Sequence, residues 1–321
     1  MADTTTTHTR TGGAGTPDSP TQLSKGTWKD TAKRALREFK EDDLTLLAAA
    51  LTYYGVLSLF PALIVLLSIL GLAGTDTIDT LLKNLSSLAP TAARDVVSNA
   101  VRDLQGSNQK AGFAFVAGIL GALWSASGYV GGFMKASNVI YEVEEGRKFW
   151  KLKPLQIVVT VIIMLLTAMI VLAIVVSGPV AQRVGDIVGA GSTAVTVFNI
   201  AKWPVIALVV SLIFAFLYYV GPNVKQPGFK WVSPGGVVAV ILWVIASALF
   251  AFYVANFGSY SKTYGSMAAV IIFLIWLWIT NLVMLLGAEL NAEIERGRQI
   301  EGGHDPEQEP FLPHREPPKQ S

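Results

Sequence analysis

Six long apolar stretches set the plan of this chain. They cover residues 44–72, 112–134, 155–177, 200–220, 235–256 and 266–286, and none carries a charge near its middle. Each matches the roughly 20 residues that a helix needs to cross about 30 Å of hydrocarbon. Lipid offers the backbone no hydrogen-bond partner, so unbroken runs of this length predict helices. A β-barrel would need short alternating segments instead. The pattern predicts an all-α, polytopic membrane protein with about six transmembrane helices.

Two amphipathic regions flank this frame. Ahead of the first span, Trp28, Ala32, Ala35, Leu36 and Phe39 recur at helical spacing, with Lys29, Lys33, Arg34, Arg37 and Lys40 between them. This predicts a basic interfacial helix over residues 27–42, drawn to anionic lipids of the inner leaflet. A plain topology anchor would show the same pattern. Between spans one and two, Ile78, Leu81, Leu82 and Leu85 form one stripe. Ala93, Val96, Val97, Ala100, Val101 and Leu104 form another beyond Pro90. These predict an extracytoplasmic helical hairpin over 73–111, either a lid or a packed surface.

Lys and Arg fix the orientation. With the N-terminus inside, 18 of the 25 fall on the cytoplasmic side, as the positive-inside rule requires. Both termini are therefore expected in the cytoplasm of a bacterial inner membrane. Residues 1–26 and 299–321 are polar, the latter rich in Pro, Glu and Gln, and read as disordered tails around a 43–298 membrane domain. AGFAFVAGILGALWSASGY in span two resembles SPGGVVAVILWVIASALFAFY in span five. Two three-helix halves of opposite orientation would follow if that likeness is more than shared small residues.

Composition then removes chemistry. The 321 residues are 52% hydrophobic and 15% charged, and include no cysteine. Disulfides, thiolate catalysis and cysteine metal sites are excluded. The three histidines, His8, His304 and His314, lie in the tails. No catalytic residue, metal ligand or cofactor site is assigned, and the chain is expected not to be an enzyme. A net charge of +2 is too small to imply a nucleic-acid partner. Membrane lipids are the expected partners, anionic at the cytoplasmic face, and an oligomer is left open.

Polar groups within the spans are the candidate functional residues, because lipid makes them costly. Span one supplies Tyr53, Tyr54, Ser58 and Pro61, the last freeing a backbone carbonyl. Span two supplies Ser125, and Asn138 follows it. Span five supplies Tyr253 and Asn256. Tyr264 opens the last span, Asn281 lies within it, and Glu289, Glu293 and Arg296 stack at its inner end. Together they make a polar path or a gate at the cytoplasmic mouth. Packing, kinks and a salt-bridge ladder are the bland counterparts of the same residues.

LTYYGVLSLFPAL in span one, WSASGYVGGFMKASNVIYEVEEGRKFW in span two, and the SYSKTYGSMAAVIIFLIWLWITNLVMLLGAELNAEIE stretch at the end together resemble the YihY/virulence-factor BrkB family of bacterial inner-membrane proteins. The resemblance covers roughly residues 28–296 and implies the same span count and topology. Names within that family suggest serum resistance, lipid-related transport, ion antiport and, historically, a ribonuclease. Phosphodiester hydrolysis needs acid–base groups or carboxylate-held metals, and the body offers no such spacing. A transporter or flippase-like handler of lipid or another amphiphile is the leading expectation. A cation/proton antiporter and a non-transporting scaffold or assembly factor are the alternatives.

Overall fold

The computed structural model describes residue 17 and residues 19–71, 111–175, 192–256, 267–306 and 308–318. The hairpin expected over 73–111 lies outside the described residues apart from Ala111, and Tyr264 lies outside them too. Among the described residues a 3-10 turn at Pro20–Gln22 precedes seven helices: α1 Lys25–Glu41, α2 Leu44–Gly71, α3 Ala111–Ile140, α4 Phe149–Val175, α5 Ser192–Val220, α6 Phe229–Asn256 and α7 Met267–Glu301. Among the described residues there is no strand, only one antiparallel bridge between Val224 and His314. This is an all-α polytopic membrane protein. Helices α4 to α7 are long and apolar enough to cross a membrane, and α2 adds an apolar helix over Leu44–Leu59.

Helix α1 begins at Ser24, whose hydroxyl accepts from the Thr27 N–H at 3.1 Å, satisfying one donor of the first turn. It turns sharply into α2 at Asp43, which sits at φ 48°, a left-handed conformation that Asp tolerates better than most residues. Helices α2 to α7 close into a ring: each packs on the next, and α7 packs back on α2.

The seams follow helical spacing. Leu44, Ala48, Leu51, Ser58 and Val65 are the buried stripe of α2, stepping by three and four residues or their sum. Ala122, Ala126, Val130, Phe133 and Ser137 do the same on α3. Where α6 meets α7 the backbones nearly touch, because a Cβ on Gly235 would collide with the Gly287 carbonyl. Small residues permit this approach, and close packing is what holds helices together in lipid.

The connections after α3 and α5, residues 141–148 and 221–228, are both eight residues long. Each leads into a helix that opens with Phe and carries Pro at its sixth position, Pro154 in α4 and Pro234 in α6. The Gly235 N–H beside Pro234 donates to Asn291 Oδ1 at 2.9 Å, which ties α6 to α7 at that point.

The C-terminal tail corrects the sequence expectation. Residues 299–301 complete α7, and residues 308–318 lie across the two eight-residue connections instead of being disordered. Lys225 N–H donates to the Pro313 carbonyl at 2.9 Å, and Arg315 N–H to the Asn223 carbonyl at 2.8 Å. Phe311 stacks on Tyr141, and Leu312 is buried. Composition suggested a chain with too little to bury, but these two side chains supply the anchor.

Candidate functional site

The end of the bundle where α1, the two connections and residues 308–318 gather is its polar end. Its centre is the last third of α7. Nearly every residue from Gly287 to Gly297 is buried, including Glu289, Glu293, Glu295 and Arg296. Buried charge is costly unless it is paired, and here the pairing is dense. Arg296 reaches Glu309 at 3.2 Å, Glu293 at 3.4 Å, Glu142 at 3.5 Å and Glu38 at 3.8 Å. These four carboxylates come from residues 308–318, α7, the 141–148 connection and α1. Phe311 covers the Arg296 guanidinium at 5.3 Å. Arg34 of α1 adds a second cation, 2.5 Å from Glu293.

Carboxylates still outnumber cations here. Burial, then the neighbouring Glu38 and Glu41, push Asp42 up to about 7. Burial also lifts Glu142 to about 7, against the pull of Arg296. Glu289 is 1% exposed, and its Oε2 has no hydrogen-bond partner.

A second knot joins the two connections. Asn138 donates to Glu145 at 3.0 Å and accepts from the Asn223 N–H at 2.7 Å. Arg147 grips Glu145 at 2.6 Å and donates to the Gly221 carbonyl at 2.9 Å. Burial opposes the charge on Glu145, but the Arg147 hydrogen bonds outweigh it and hold this carboxyl below its ordinary range. Asn223 also donates to the Glu316 carbonyl at 2.7 Å, so the C-terminal segment locks the same knot.

Deeper in the bundle a polar triad bridges three helices. Tyr129 of α3 donates to Asn281 Oδ1 of α7 at 2.7 Å, and Asn281 donates to Thr52 of α2 at 3.1 Å. Asn281 is wholly buried. Next to the triad lies a cavity of about 410 Å³. Its walls come from α2, α3, α4, α5 and α7. Among the described residues they are apolar apart from Ser58, Tyr129, Thr160 and Thr167, and none that lines it is charged.

The expected site residues divide. Ser58 lines the cavity, and Tyr54 packs over Gly132. Pro61 lies within α2 beside the cavity residue Ala62. Asn138, Asn281, Glu289 and Glu293 are buried inside the protein. Four others do not belong to any interior path. Tyr53 is 63% exposed because it lies two residues from Leu51, on the opposite side of α2. Ser125 is exposed because the buried stripe of α3 runs through Ala122 and Ala126. Tyr253 and Asn256 face outward because the buried face of α6 ends at Val240, and Asn256 donates back to the Phe252 carbonyl of its own helix at 2.8 Å. The ladder is also redrawn: Glu293 pairs with Arg296, while Glu289 pairs with neither.

Sequence reasoning left Glu38, Glu142, Asn223 and Thr160 off the site. Arg296 for Glu38 and Glu142, and Asn138 and Glu316 for Asn223, are remote in the chain, and Thr160 matters by lining the cavity, so no local spacing marks any of them. Thr52 and Tyr129 were nearer to hand, since both lie in the polar clusters of spans one and two.

The chain belongs to the virulence factor BrkB family, whose model matches residues 35–311. It is 34% identical over 265 residues to a Bacillus subtilis protein provisionally named ribonuclease-like protein YfkH, covering 82% of this chain and 93% of that one. It is 28% identical to a UPF0761 membrane protein of Alteromonas mediterranea, covering 81% and 85% of the two chains. A UPF0761 membrane protein of Halorhodospira halophila is 27% identical, over 88% of this chain and 61% of its own. No solved structure matches the chain.

Proposed function

We propose that this membrane protein binds and moves a lipid or another amphiphile, as a transporter or flippase-like handler. The observation that carries the reading is the cavity of about 410 Å³ inside the helix ring. Ligand sites of this kind are concave, mostly apolar and supplied with a few polar groups, and span about 300–1,000 Å³. Its uncharged walls suit a hydrocarbon ligand and give an ion no counter-charge.

The setting proposed is the bacterial cytoplasmic membrane with both termini inside, which puts the polar end in the cytoplasm, as the Lys and Arg distribution favours. There α1 turns Thr31, Ala35 and Glu38 toward the protein and leaves Lys29, Lys33, Leu36, Arg37 and Lys40 outward. That basic, partly apolar face fits anionic lipid headgroups. Outward Trp124, Phe149 and Trp150, with Lys153 over the Trp124 ring at 4.6 Å, suit the interface as well.

A cation/proton antiporter is the second reading, and buried Glu289 with its unpartnered oxygen is the one feature that favours it. No enzymatic role forms part of the proposal. The ribonuclease-like name belongs to the Bacillus relative. Among the described residues no group of three or more His, Cys, Asp or Glu could hold a metal ion.

The test is reconstitution in liposomes with a fluorescent anionic phospholipid, measuring its transbilayer movement. Movement above that in empty liposomes, lost on filling the cavity with Ala126→Phe, is the expected result. Movement no faster than in empty liposomes, with protein folded and inserted, removes this reading and leaves the antiporter and the scaffold.

A further inference from the structure

The cavity is open on one side and has a floor, and its volume and floor both bear on the ligand it takes. We infer that it is a receptacle for one hydrocarbon tail of about 16 carbons, whose headgroup stays outside. The inference rests on the lipid-handling reading above and names its ligand class. An apolar cavity of about 150 Å³ holds one benzene, six carbons, so the 410 Å³ here holds roughly 16. The two tails of an ordinary phospholipid would need about twice that volume.

The headgroup has no place inside. Among the described residues no Lys, Arg or His lines the walls, so a buried phosphate or carboxylate would go uncompensated, at several kcal/mol. The Tyr129 hydroxyl is already committed to Asn281 at 2.7 Å. The floor is firm. Met284 lines the cavity, and its carbonyl accepts from the Tyr218 hydroxyl at 2.7 Å. Phe133, Tyr218 and Leu285 are all buried around it. From Gly55 to Ala62 on α2 the lining spans about 10 Å of helix. The receptacle is therefore short and broad, and the tail lies folded or branched within it.

Straight and methyl-branched tails are two sources of the same chemistry, and the experiment separates them. The purified full chain is loaded with lysophosphatidylglycerols of about 10 to 20 tail carbons, with farnesyl phosphate of about 15, or with dipalmitoyl phosphatidylglycerol. Retained lipid is counted by native mass spectrometry. One equivalent of single-tail lipid is expected, with retention of straight tails peaking near 16 carbons, or farnesyl phosphate held at least as well. Ala126→Phe and, more gently, Ser58→Leu should shorten the preferred tail by several carbons while the melting temperature holds.

Retention that only rises with tail length, an unchanged optimum in both folded variants, or preferred binding of the two-tailed lipid each overturns the receptacle. The two readings fail separately. A tail-length optimum without transbilayer movement keeps the receptacle and removes transport. Movement that neither variant slows keeps transport and removes the receptacle.

Discussion

The middle of the bundle and its polar end invert the usual order of protein interiors. The apolar middle is the loosely filled part, with room for about 410 Å³ among Leu, Ile, Met and Ala side chains. The charged end is the tightly joined part, where four carboxylates converge on one buried guanidinium. In water an apolar cavity would be squeezed out by the hydrophobic effect. In lipid, tails are as apolar as Leu, so the hydrophobic effect does not drive the middle shut. Uniqueness of fold must come from polar pairing and close backbone approach, and these are concentrated at the end.

That contrast predicts unequal sensitivities. Arg296→Ala carries the largest expected effect, because it removes the cation shared by Glu38, Glu142, Glu293 and Glu309 and leaves only Arg34 and Arg37 beside Glu293 and Glu38. Breaking a buried pair typically costs about 3–5 kcal/mol, so thermal unfolding in detergent should show loss of the folded state or a deep fall in melting temperature. Adding Glu293→Gln should recover part of it. If Arg296→Ala melts like the parent, the polar end is not what holds the ring.

Removal of residues 308–318 comes next. It uncovers Tyr141 and strips away Phe311 and Leu312, and fully burying one such side chain is worth about 1.5–3 kcal/mol. Limited proteolysis should then cut the 141–148 and 221–228 connections, and should spare them in the intact chain.

Asn281→Val is expected to cost less, about 1 kcal/mol, since interhelical hydrogen bonds in membranes average below that. A thermal melt resolves it, and Tyr129→Phe on the same background should then cost nothing more.

The pH response is smaller again. Asp42 and Glu142, held up at about 7, bind protons on folding that the unfolded chain binds only near its ordinary carboxylate range. The stability they add is complete at acid pH and is lost as pH rises through about 7. Melting temperature should fall across that window, and Asp42→Asn with Glu142→Gln should flatten the curve. The smallest effect belongs to the middle: Ser58→Leu should shift stability by less than about 1 kcal/mol. A large loss there would show that the cavity walls are as tightly specified as the polar end.

The sequence made the helices plain and the contacts obscure, for one physical reason. Hydropathy is a local property, so the apolar runs nearly mark the helices. Each helix departs from its run mainly by extending beyond the hydrocarbon, as α7 does through Glu289 to Glu301. Which side of a helix faces inward is not local. In a soluble helix polarity marks the outward face, but here Tyr53 and Ser125 meet the outside while Thr52 and Tyr129 of the same clusters bond inside the bundle. Asn138 and Asn281 were legible as costly groups, though not their partners Asn223, Tyr129 and Thr52. The hub at Arg296 was least legible. Its carboxylates run from Glu38 to Glu309, and no spacing rule reaches that far. Nor does composition foresee that two side chains, Phe311 and Leu312, would pin a proline-rich tail.

Helix α7 has 35 residues, about 52 Å of helix, and its final third is the post around which the polar end is built. It is also the last of the described spans in chain order. During synthesis Glu142 emerges long before Arg296, and Arg34 waits 259 positions for Glu293. Until α7 is inserted, the earlier spans carry charges and amides with no native partner. Insertion of α7 and closure of the polar end are thus one event. A truncated product stays marked by unpaired acid groups that a membrane quality-control protease could recognise.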